Sequence, residues 1–282
     1  MKSNDSKPTM QQVIKENVQK LISQLEAGHS EAMTAYLGAM AHFHKYSFGN
    51  ILMVVSQKPE ATRVAGFHAW RELGRHVKKG EKGIAILAPL VGKRRNEEAE
   101  PSAEGEQSKA FIYGFRRVYV WDVSQTEGEP LPAFGETTGE VGESLDRLKA
   151  FIAAQGIELV FDASIAPALG MSYGGKIAIL PGQSEAETFA CLAHEAAHEI
   201  LHKKERRAGT TKTQRETEAE AVAFIVASAI GLNAASSSDY IQLYNGNAES
   251  LAESLEVVQQ AASVILAAID TKKQSEADER AA

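Results

Sequence analysis

Two histidines four residues apart, in the stretch His-Glu-Ala-Ala-His at residues 194–198, constrain this chain more than any other feature. The pattern is H-E-x-x-H, and residues four apart share one face of a helix, so His194 and His198 can reach one metal ion. Glu195 is offset around that helix, where it is placed to activate a water molecule. The alternative is a chance match on a helix with two hydrogen-bonded histidines, which the apolar flanks of the motif disfavour.

The third metal ligand must come from another element, because one helix offers only two groups to a tetrahedral ion. A metzincin would need glycine and histidine where the chain has Leu201 and Lys204, so that subclass is excluded. His202 continues the helix but lies a turn too far, and we interpret it as a C-terminal residue favoured by the helix dipole.

A second predicted helix, residues 213–230, offers three acids in Glu216, Glu218 and Glu220. Glu216 and Glu220 share a face, and Glu218 points away from both. We predict Glu216 as the third ligand and Glu220 as the carboxylate that holds the other nitrogen of a ligand histidine. Two alternatives stay open: the roles of Glu216 and Glu220 exchanged, or Glu218 as ligand. Glu218 otherwise fits a solvated helix start.

This ligand set predicts a hydrolytic centre, since a structural zinc site would close its fourth position with a protein ligand. Zinc is the expected ion, and other divalent metals such as Mn²⁺ are alternatives. A strand at residues 176–180 is the candidate edge strand that would align a peptide. Tyr173 or Tyr240 could donate to an oxyanion, although a core or surface role is the simpler reading of each. The lone cysteine, Cys191, fits a small buried side chain and excludes an internal disulfide.

The charge distribution points to a second activity in the N-terminal half. The net charge is −7, yet residues 45–95 are basic and only Glu60, Glu72 and Glu81 oppose the bases there. Aromatic and histidine side chains occur among these bases and just beyond them: His42, Phe43, His44, Tyr46, Phe48, Phe67, Trp70, Tyr113, Phe115, Tyr119 and Trp121. Single-stranded nucleic acid is held by such a combination, through stacked bases and neutralised phosphates. The predicted phosphate contacts are Arg63, Arg71, Arg75, Lys78, Lys79 and Lys82, with Arg116 and Arg117 opposite.

The order of short motifs in this half resembles the ArdC-like antirestriction family. They are Tyr46-Ser47-x-x-Asn50, Gln57-Lys58-Pro59, Gly66-Phe67-x-x-Trp70, Gly74-Arg75-x-Val77-x-Lys79-Gly80-Glu81 and Trp121-Asp122-Val123-Ser124-Gln125-Thr126. The resemblance spans residues 14–130 and implies a domain that binds single-stranded DNA. It also implies that DNA of a mobile element is shielded from restriction enzymes. With the motif residue Asn50, the predicted DNA contacts are Tyr46, Asn50, Arg63, Phe67, Trp70, Arg71, Arg75, Lys78, Lys79, Lys82 and Arg116.

Residues 143–266 are similar to the zinc-peptidase domain of the same group and of ImmA/IrrE-type peptidases. In that group H-E-x-x-H precedes a helix that supplies a glutamate ligand, often with a second acid four residues on. The resemblance therefore supports Glu216 as ligand and Glu220 as its partner. Thr217-Glu218 departs from the pattern by adding an acid.

We therefore predict an α+β fold: a mixed α/β domain that binds single-stranded DNA, followed by a zincin-like metallopeptidase domain. The predicted division is a disordered start (1–9), a DNA-binding domain (10–130) with a flexible loop (93–109), a linker (131–143), a peptidase domain (144–270) and a disordered tail (271–282). No signal peptide or membrane span is evident, so we expect a cytoplasmic protein with single-stranded DNA and a peptide or protein substrate as partners. Two rivals are a non-catalytic DNA-protection protein with structural zinc and an ImmA-type peptidase that cleaves a repressor.

Overall fold

The computed structural model describes residues 10–27, 31–93, 110–129, 141–232 and 248–269. Within them the helices are α1 (Met10–Glu26), α2 (Glu31–His42), α3 (Phe48–Gln57), α4 (Phe67–Glu72), α5 (Ser144–Ala154), α6 (Glu185–Leu201), α7 (Lys204–Gly209), α8 (Lys212–Ala229) and α9 (Ala248–Ile269). The strands are β1 (Val64–Ala65), β2 (Arg75–Val77), β3 (Ile84–Lys93), β4 (Ala110–Asp122), β5 (Thr126–Gly128), β6 (Glu158–Phe161), β7 (Gly170–Ser172) and β8 (Lys176–Ile179). The α+β class is confirmed.

The chain divides into two compact units. The smaller unit is Met53–Pro130, and the larger unit combines Met1–Leu52 with Leu131–Ala282. The end of the smaller unit coincides with the start of the predicted linker, but its beginning differs from the predicted boundary at residue 10. The reason is apolar packing: α1 packs on α9 and α2 packs on α8, so both helices complete the core of the larger unit. The predicted segments 1–9 and 271–282 and residues 131–140 of the predicted linker (131–143) lie outside the described residues.

The smaller unit is built on a long antiparallel hairpin in which β3 pairs with β4, and β1 adds to the other side of β4. A second small sheet pairs β2 with β5. Successive side chains on a strand point to opposite faces, and Ile84, Ile86 and Val120 are buried on one face of the hairpin. Residues 94–109 lie outside the described residues, but the strands on either side of them pair with each other, as expected of a loop within one domain.

The larger unit places a three-stranded sheet, in the order β6-β8-β7, against α6. β6 is parallel to β8, and β7 is antiparallel to it. Because β8 is paired on both sides, the prediction that residues 176–180 form the edge strand is wrong. The edge strand that packs beside α6 is β7, which is three residues long and carries no periodicity signal in the sequence.

Helices α8 and α9 form the centre of the larger unit. Val222, Ile225, Leu255 and Val258 are completely buried. The side chain of Gln259 donates a hydrogen bond to the carbonyl oxygen of Tyr46 at 2.8 Å, which ties α9 to the segment after α2. By length and composition alone, Glu249–Ile269 could span a membrane, but half of that window is buried inside the fold, as is usual for a core helix.

Candidate metal centre and aromatic face

Helix α6 carries the H-E-x-x-H residues and begins at a capping box. The Ser184 hydroxyl accepts a hydrogen bond from the Glu187 backbone N–H, and the Glu187 carboxylate accepts one from the Ser184 backbone N–H at 2.9 Å. Residues on the buried side of the helix have no exposed surface: Phe189, Leu192, Ala193, Ala196 and Ala197. Helix α8 begins at a similar box, formed by Thr211 and Gln214, and packs against α6. The two ligand-bearing helices are therefore fixed at their N-termini and along one face.

Three potential ligand atoms converge between these helices. The Nε2 atoms of His194 and His198 are 3.1 Å apart, and the Oε2 atom of Glu216 is 3.5 Å from each of them. Ligands at 2.0–2.1 Å from a tetrahedral ion are separated by about 3.3 Å along each edge of the tetrahedron. The three side chains therefore fit one divalent ion, with imidazole nitrogens that suit zinc and a carboxylate oxygen that suits zinc or manganese.

Burial keeps both imidazoles in the neutral form that binds metals. It lowers the pKa of His194, against the opposing influence of Glu216. The pKa of His198 falls to about 4, first because of burial and then because of the neighbouring His194. Glu216 is the exposed member of the group, with 51% of its side chain accessible, so the site is open to solvent on that side.

Glu195 lies beside the three ligands and faces strand β7. It is 7% exposed, and burial, followed by the charges of Glu216 and Glu199, raises its pKa to about 7. The backbone of Gly170 on β7 passes directly against its side chain. Tyr173, a candidate oxyanion donor, is 54% exposed and donates its hydroxyl to the sulfur of Met171 at 3.4 Å. Tyr240, the other candidate, lies outside the described residues.

Glu199 fixes the turn between β7 and β8 to α6, a role that the sequence analysis missed. Its carboxylate accepts hydrogen bonds from the Ser172 hydroxyl at 2.6 Å and from the backbone N–H groups of Gly174 and Gly175 at 2.8 and 2.7 Å. Both glycines have positive φ, at 78° and 104°, and successive N–H groups in such turns form anion-binding concavities. The only sequence signal was an acid directly after His198.

Glu218 is a second residue of the site whose role the sequence did not predict. The expectation that it is solvated was wrong, because Glu218 is 1% exposed. It accepts hydrogen bonds from His202 and Arg206, whose nitrogens lie 3.0 and 2.6 Å from its oxygens. Burial acts to raise its pKa, but the hydrogen bond from His202 and the charge of Arg206 hold that pKa below its ordinary value.

Glu220, predicted to hold a ligand histidine, is partly exposed and acts on His194 only through its charge. In the described part of the chain, no hydrogen bond joins Glu220 to a histidine. The reason is the direction of the other nitrogens: Nδ1 of His198 points along α6 to His202, at 2.9 Å. Of the predicted group, the structure brings together His194, Glu195, His198 and Glu216.

Several predicted DNA contacts of the smaller unit have structural roles. Trp70 is completely buried and donates its ring N–H to the carbonyl oxygen of Trp121 at 2.9 Å, so it presents no face to a base. The guanidinium of Arg75 donates to β5, including the hydroxyl and carbonyl of Thr126. Lys78 donates to the carbonyl oxygen of Ser124 at 2.9 Å.

The other predicted contacts are spread over both units. Phe67 is 44% exposed. Arg63 is partly exposed, and the exposed bases are Arg71, Lys79, Lys82 and Arg116. Tyr46 is partly exposed and Asn50 is buried, and both belong to the larger unit.

The motif at residues 121–126 is a hydrogen-bonded junction within the smaller unit. Asp122 accepts hydrogen bonds from the backbone N–H groups of Thr62, Arg63 and Ser124. Gln125 donates to Glu81 and to the carbonyl oxygen of Lys82, both at 2.9 Å. The Trp-Asp-Val-Ser-Gln-Thr stretch therefore holds β1, the turn before β3 and the end of β4 in register.

An exposed aromatic row lies on the outer face of β4, opposite the buried residues of the hairpin. Phe115 and Tyr119 are 56% and 52% exposed, Arg117 lies between them, and Trp121 follows on the same face. Phe67 packs edge to face on Trp121 with ring centroids 6.0 Å apart. A register shift between Leu90 and Val91 interrupts the alternation before Phe115, so the row is defined as Phe67, Phe115, Arg117, Tyr119 and Trp121. Of these five, Phe67 was among the predicted DNA contacts and Arg117 among the predicted phosphate contacts, whereas Phe115, Tyr119 and Trp121 were named only in the aromatic set of this half.

Comparisons with known proteins found one matching family model and similar solved structures. Residues 11–121 match the family described as the N-terminal domain of anti-restriction factor ArdC. The crystal structure of the antirestriction ArdC protein from the R388 plasmid, in its metal-free form, is similar with a TM-score of 0.52 and 20% identity, over 94% of this chain and 98% of that one. Its Mn(II)-bound form is similar with the same TM-score and identity, over 92% and 98%.

A longer relative is also similar over almost the whole chain. The uncharacterized protein pXO2-81 of Bacillus anthracis is 25% identical over an alignment of 312 positions. The alignment covers 95% of this chain. The chain spans about half the length of that relative, 53%.

Proposed function

Because residues 11–121 match the family of the N-terminal domain of anti-restriction factor ArdC, we propose that the chain is an ArdC-like antirestriction protein that binds single-stranded DNA and carries a metal-dependent peptidase centre. The observation that carries the proposal is the convergence of one ligand atom each from His194, His198 and Glu216 within 4.8 Å of one another. The biological role is protection of mobile-element DNA that enters a host as a single strand. That role places the protein in the cytoplasm, where its lone cysteine would stay reduced.

The peptidase half of the proposal assigns His194, His198 and Glu216 as ligands of zinc or another divalent ion such as manganese. A bound divalent ion would polarise a peptide carbonyl and make water more acidic at neutral pH. Glu195, on the same helix as both histidines, takes the proton from the attacking water and delivers it to the leaving nitrogen. Among the described strands, β7 is at the edge of its sheet, and an extended peptide can add beside it as a further strand.

The DNA-binding half of the proposal is supported by the aromatic row. Alternate side chains on a strand are about 7 Å apart, so Tyr119 and Trp121 are spaced for successive bases of an extended single strand. Phe115, about 14 Å from Tyr119 along the strand, is spaced for a base further on. Arg117 lies within the row, where its guanidinium meets a phosphate or stacks on a base. Lys82 and Lys79 are exposed bases of the same unit and add positive charge.

Fluorescence anisotropy with a labelled oligonucleotide tests the DNA-binding half. Phe115→Ala and Tyr119→Ala should each weaken binding by about 5- to 150-fold, the equivalent of about 1–3 kcal/mol per stacked base. Phe161→Ala is the matched control, since Phe161 is an equally exposed phenylalanine of the larger unit, at 55%. Unchanged affinity in both row variants would remove the row from the binding surface.

The salt dependence of the same binding separates two adjacent arginines. Arg117→Gln should reduce the log–log slope by about 0.7, the contribution of one phosphate contact on a single strand. Arg116→Gln should leave the slope nearly unchanged, because Arg116 points to the opposite face of β4. A larger effect of Arg116→Gln would place the DNA on the other face of β4. Arg116 was itself one of the predicted DNA contacts.

Glu195→Gln tests the peptidase half and separates it from a non-catalytic protection protein. Zinc-loaded wild-type protein should cleave members of a quenched fluorescent peptide library, and Glu195→Gln should abolish this cleavage while metal binding persists. Protection of incoming DNA is then measured in cells that express a restriction enzyme. If Glu195→Gln protects as well as wild type does, catalysis is not needed for protection and the structural-metal alternative is preferred.

A further inference from the structure

A continuous chain of hydrogen bonds runs from the candidate metal site into the core of the larger unit. Nδ1 of His198 lies 2.9 Å from Nδ1 of His202, and Nε2 of His202 lies 3.0 Å from Oε2 of Glu218. Oε1 of Glu218 accepts a hydrogen bond from Arg206 at 2.6 Å. The side chain of His202 is 0% exposed and that of Glu218 is 2% exposed, so water does not compete for these contacts.

The charge of Arg206 keeps Glu218 ionised, so that its carboxylate can only accept hydrogen bonds. Arg206 is always protonated and donates to one carboxylate oxygen. A buried carboxylate that is paired with a guanidinium has its charge compensated and remains ionised. The other oxygen, Oε2, can therefore only accept a hydrogen bond, and its partner is Nε2 of His202.

Because Glu218 can only accept, it determines which ring nitrogen carries the proton in His202 and in His198. His202 must carry its proton on Nε2 in order to donate to Glu218. In the neutral imidazole Nδ1 is then a bare acceptor, and the adjacent Nδ1 of His198 must be the protonated partner. Nε2 of His198 is consequently left with a free lone pair, directed at the position where Nε2 of His194 and Oε2 of Glu216 also converge.

We propose that His202 is a positioning residue that, held by Glu218 and Arg206, fixes the tautomer and ring orientation of His198 for metal binding. This inference rests on the proposed metal centre. It assigns to Glu218, through an intervening histidine, the role that a carboxylate in direct contact with a ligand histidine plays in other metal sites. His202 is not itself a ligand, because its Nδ1 faces the side of His198 that points away from the three converging atoms.

Glu218→Gln is the most discriminating variant, because an amide can donate a hydrogen bond to His202, whereas the carboxylate can only accept one. If the new amide donates to His202, both tautomers reverse and a proton on Nε2 of His198 occupies the ligand position. We expect zinc affinity, measured by competition with a chromophoric chelator, to fall about 10- to 100-fold. His202→Phe should weaken zinc by a similar factor. Glu205→Gln, an exposed acid of α7 next to Arg206, is the matched control and should bind as wild type does.

The tautomers can be measured on wild-type protein, which keeps the test independent of how the variants fold. Nitrogen-15 NMR of histidine-labelled, metal-free protein should show the proton of His198 on Nδ1 and that of His202 on Nε2. The opposite assignment for either ring would overturn the proposal. So would full zinc affinity in well-folded Glu218→Gln and His202→Phe, or a loss of affinity confined to Glu220→Gln.

Failure of the metal centre itself would give a different result. If wild-type protein bound neither zinc nor manganese, the proposed peptidase function would fail. The NMR assignment would still decide whether Glu218 orders the two histidines.

Discussion

Gly170 and Glu195 are in such close contact that a Cβ atom on Gly170 would lie 2.9 Å from Cγ and 3.0 Å from Oε1 of Glu195. The same Cβ would lie 2.5 Å from Sγ of Cys191. Since φ of Gly170 is not positive, the need for glycine is steric and not conformational. The edge strand β7 can approach the proposed general base only because this position has no side chain.

Gly170→Ala is therefore expected to destabilise the larger unit and displace Glu195. Overpacking of this kind costs about 1–3 kcal/mol, which chemical unfolding followed by circular dichroism would measure. Adding Cys191→Ala should recover part of the loss, because it removes one of the two clashes. Gly38→Ala is the control: nothing lies within 4 Å of its added Cβ, and alanine within a helix should stabilise by about 0.5–1 kcal/mol. Equal stability of wild type and Gly170→Ala would contradict the contact.

Glu199→Gln should release the turn between β7 and β8. A neutral amide cannot accept from Ser172, Gly174 and Gly175 as the carboxylate does, and loss of hydrogen bonds to a charged group costs about 1.5–3 kcal/mol. Hydrogen exchange at the amides of Gly174 and Gly175 should accelerate more than exchange elsewhere in the unit. Glu158→Gln is the comparison, because the side chain of Glu158 forms an exposed ion pair at 3.7 Å with Lys176, and this change should alter stability by less than about 0.5 kcal/mol. Unaltered protection of both glycines would show that the turn holds without Glu199.

Cys191 should react slowly with thiol reagents in the native protein. Burial, with a smaller effect from the charge of Glu195, raises its pKa to about 11. At pH 8 its thiolate fraction, and hence its alkylation rate, should be on the order of 100-fold below that of an unhindered cysteine. The rate should keep rising with pH up to about 11, whereas the rate for unfolded protein should level off above about 9. As the chain has one cysteine, total labelling by mass spectrometry reports this site alone, and a native rate equal to the unfolded one would contradict its burial.

The convergence of the two histidines could be predicted from the sequence because helix geometry alone determines it. A spacing of four residues brings His194 and His198 to one face in any α-helix, whereas Glu216 was chosen from three acids on the next helix, with Glu218 and Glu220 left as alternatives. Glu218 was misplaced because the sequence predicts where a residue lies on its own helix but not what packs against that helix. Its partners are His202, the residue directly after α6, and Arg206 of α7, and their contact depends on the tertiary fold.

The proposed DNA-binding surface was harder to predict for a similar reason. The interpretation selected bases and aromatic residues by their type, and burial then divided them: Trp70 is in the core, whereas Phe115 and Tyr119 are on the surface. The alternation of Phe115, Arg117, Tyr119 and Trp121 was a usable signal, because residues two apart on a strand share a face. Ile84, Ile86 and Val120 are buried on the opposite side of the hairpin. Their burial determines that the face with Phe115 and Tyr119 is the exposed one.

Metal binding should stabilise the larger unit by an amount that follows from affinity alone. An ion that binds only the folded state, at 100 times its dissociation constant, adds about 2.7 kcal/mol to the free energy of unfolding. For a unit of this size, that corresponds to a rise in melting temperature of about 5–10 °C. Zinc should act at lower concentration than manganese, because sites of nitrogen and oxygen ligands bind zinc more tightly than manganese. His194→Ala and Glu216→Gln should lose the shift, Glu158→Gln should keep it, and excess chelator should reverse it. A zinc-induced shift that survives in both ligand variants would mean that the ion binds elsewhere.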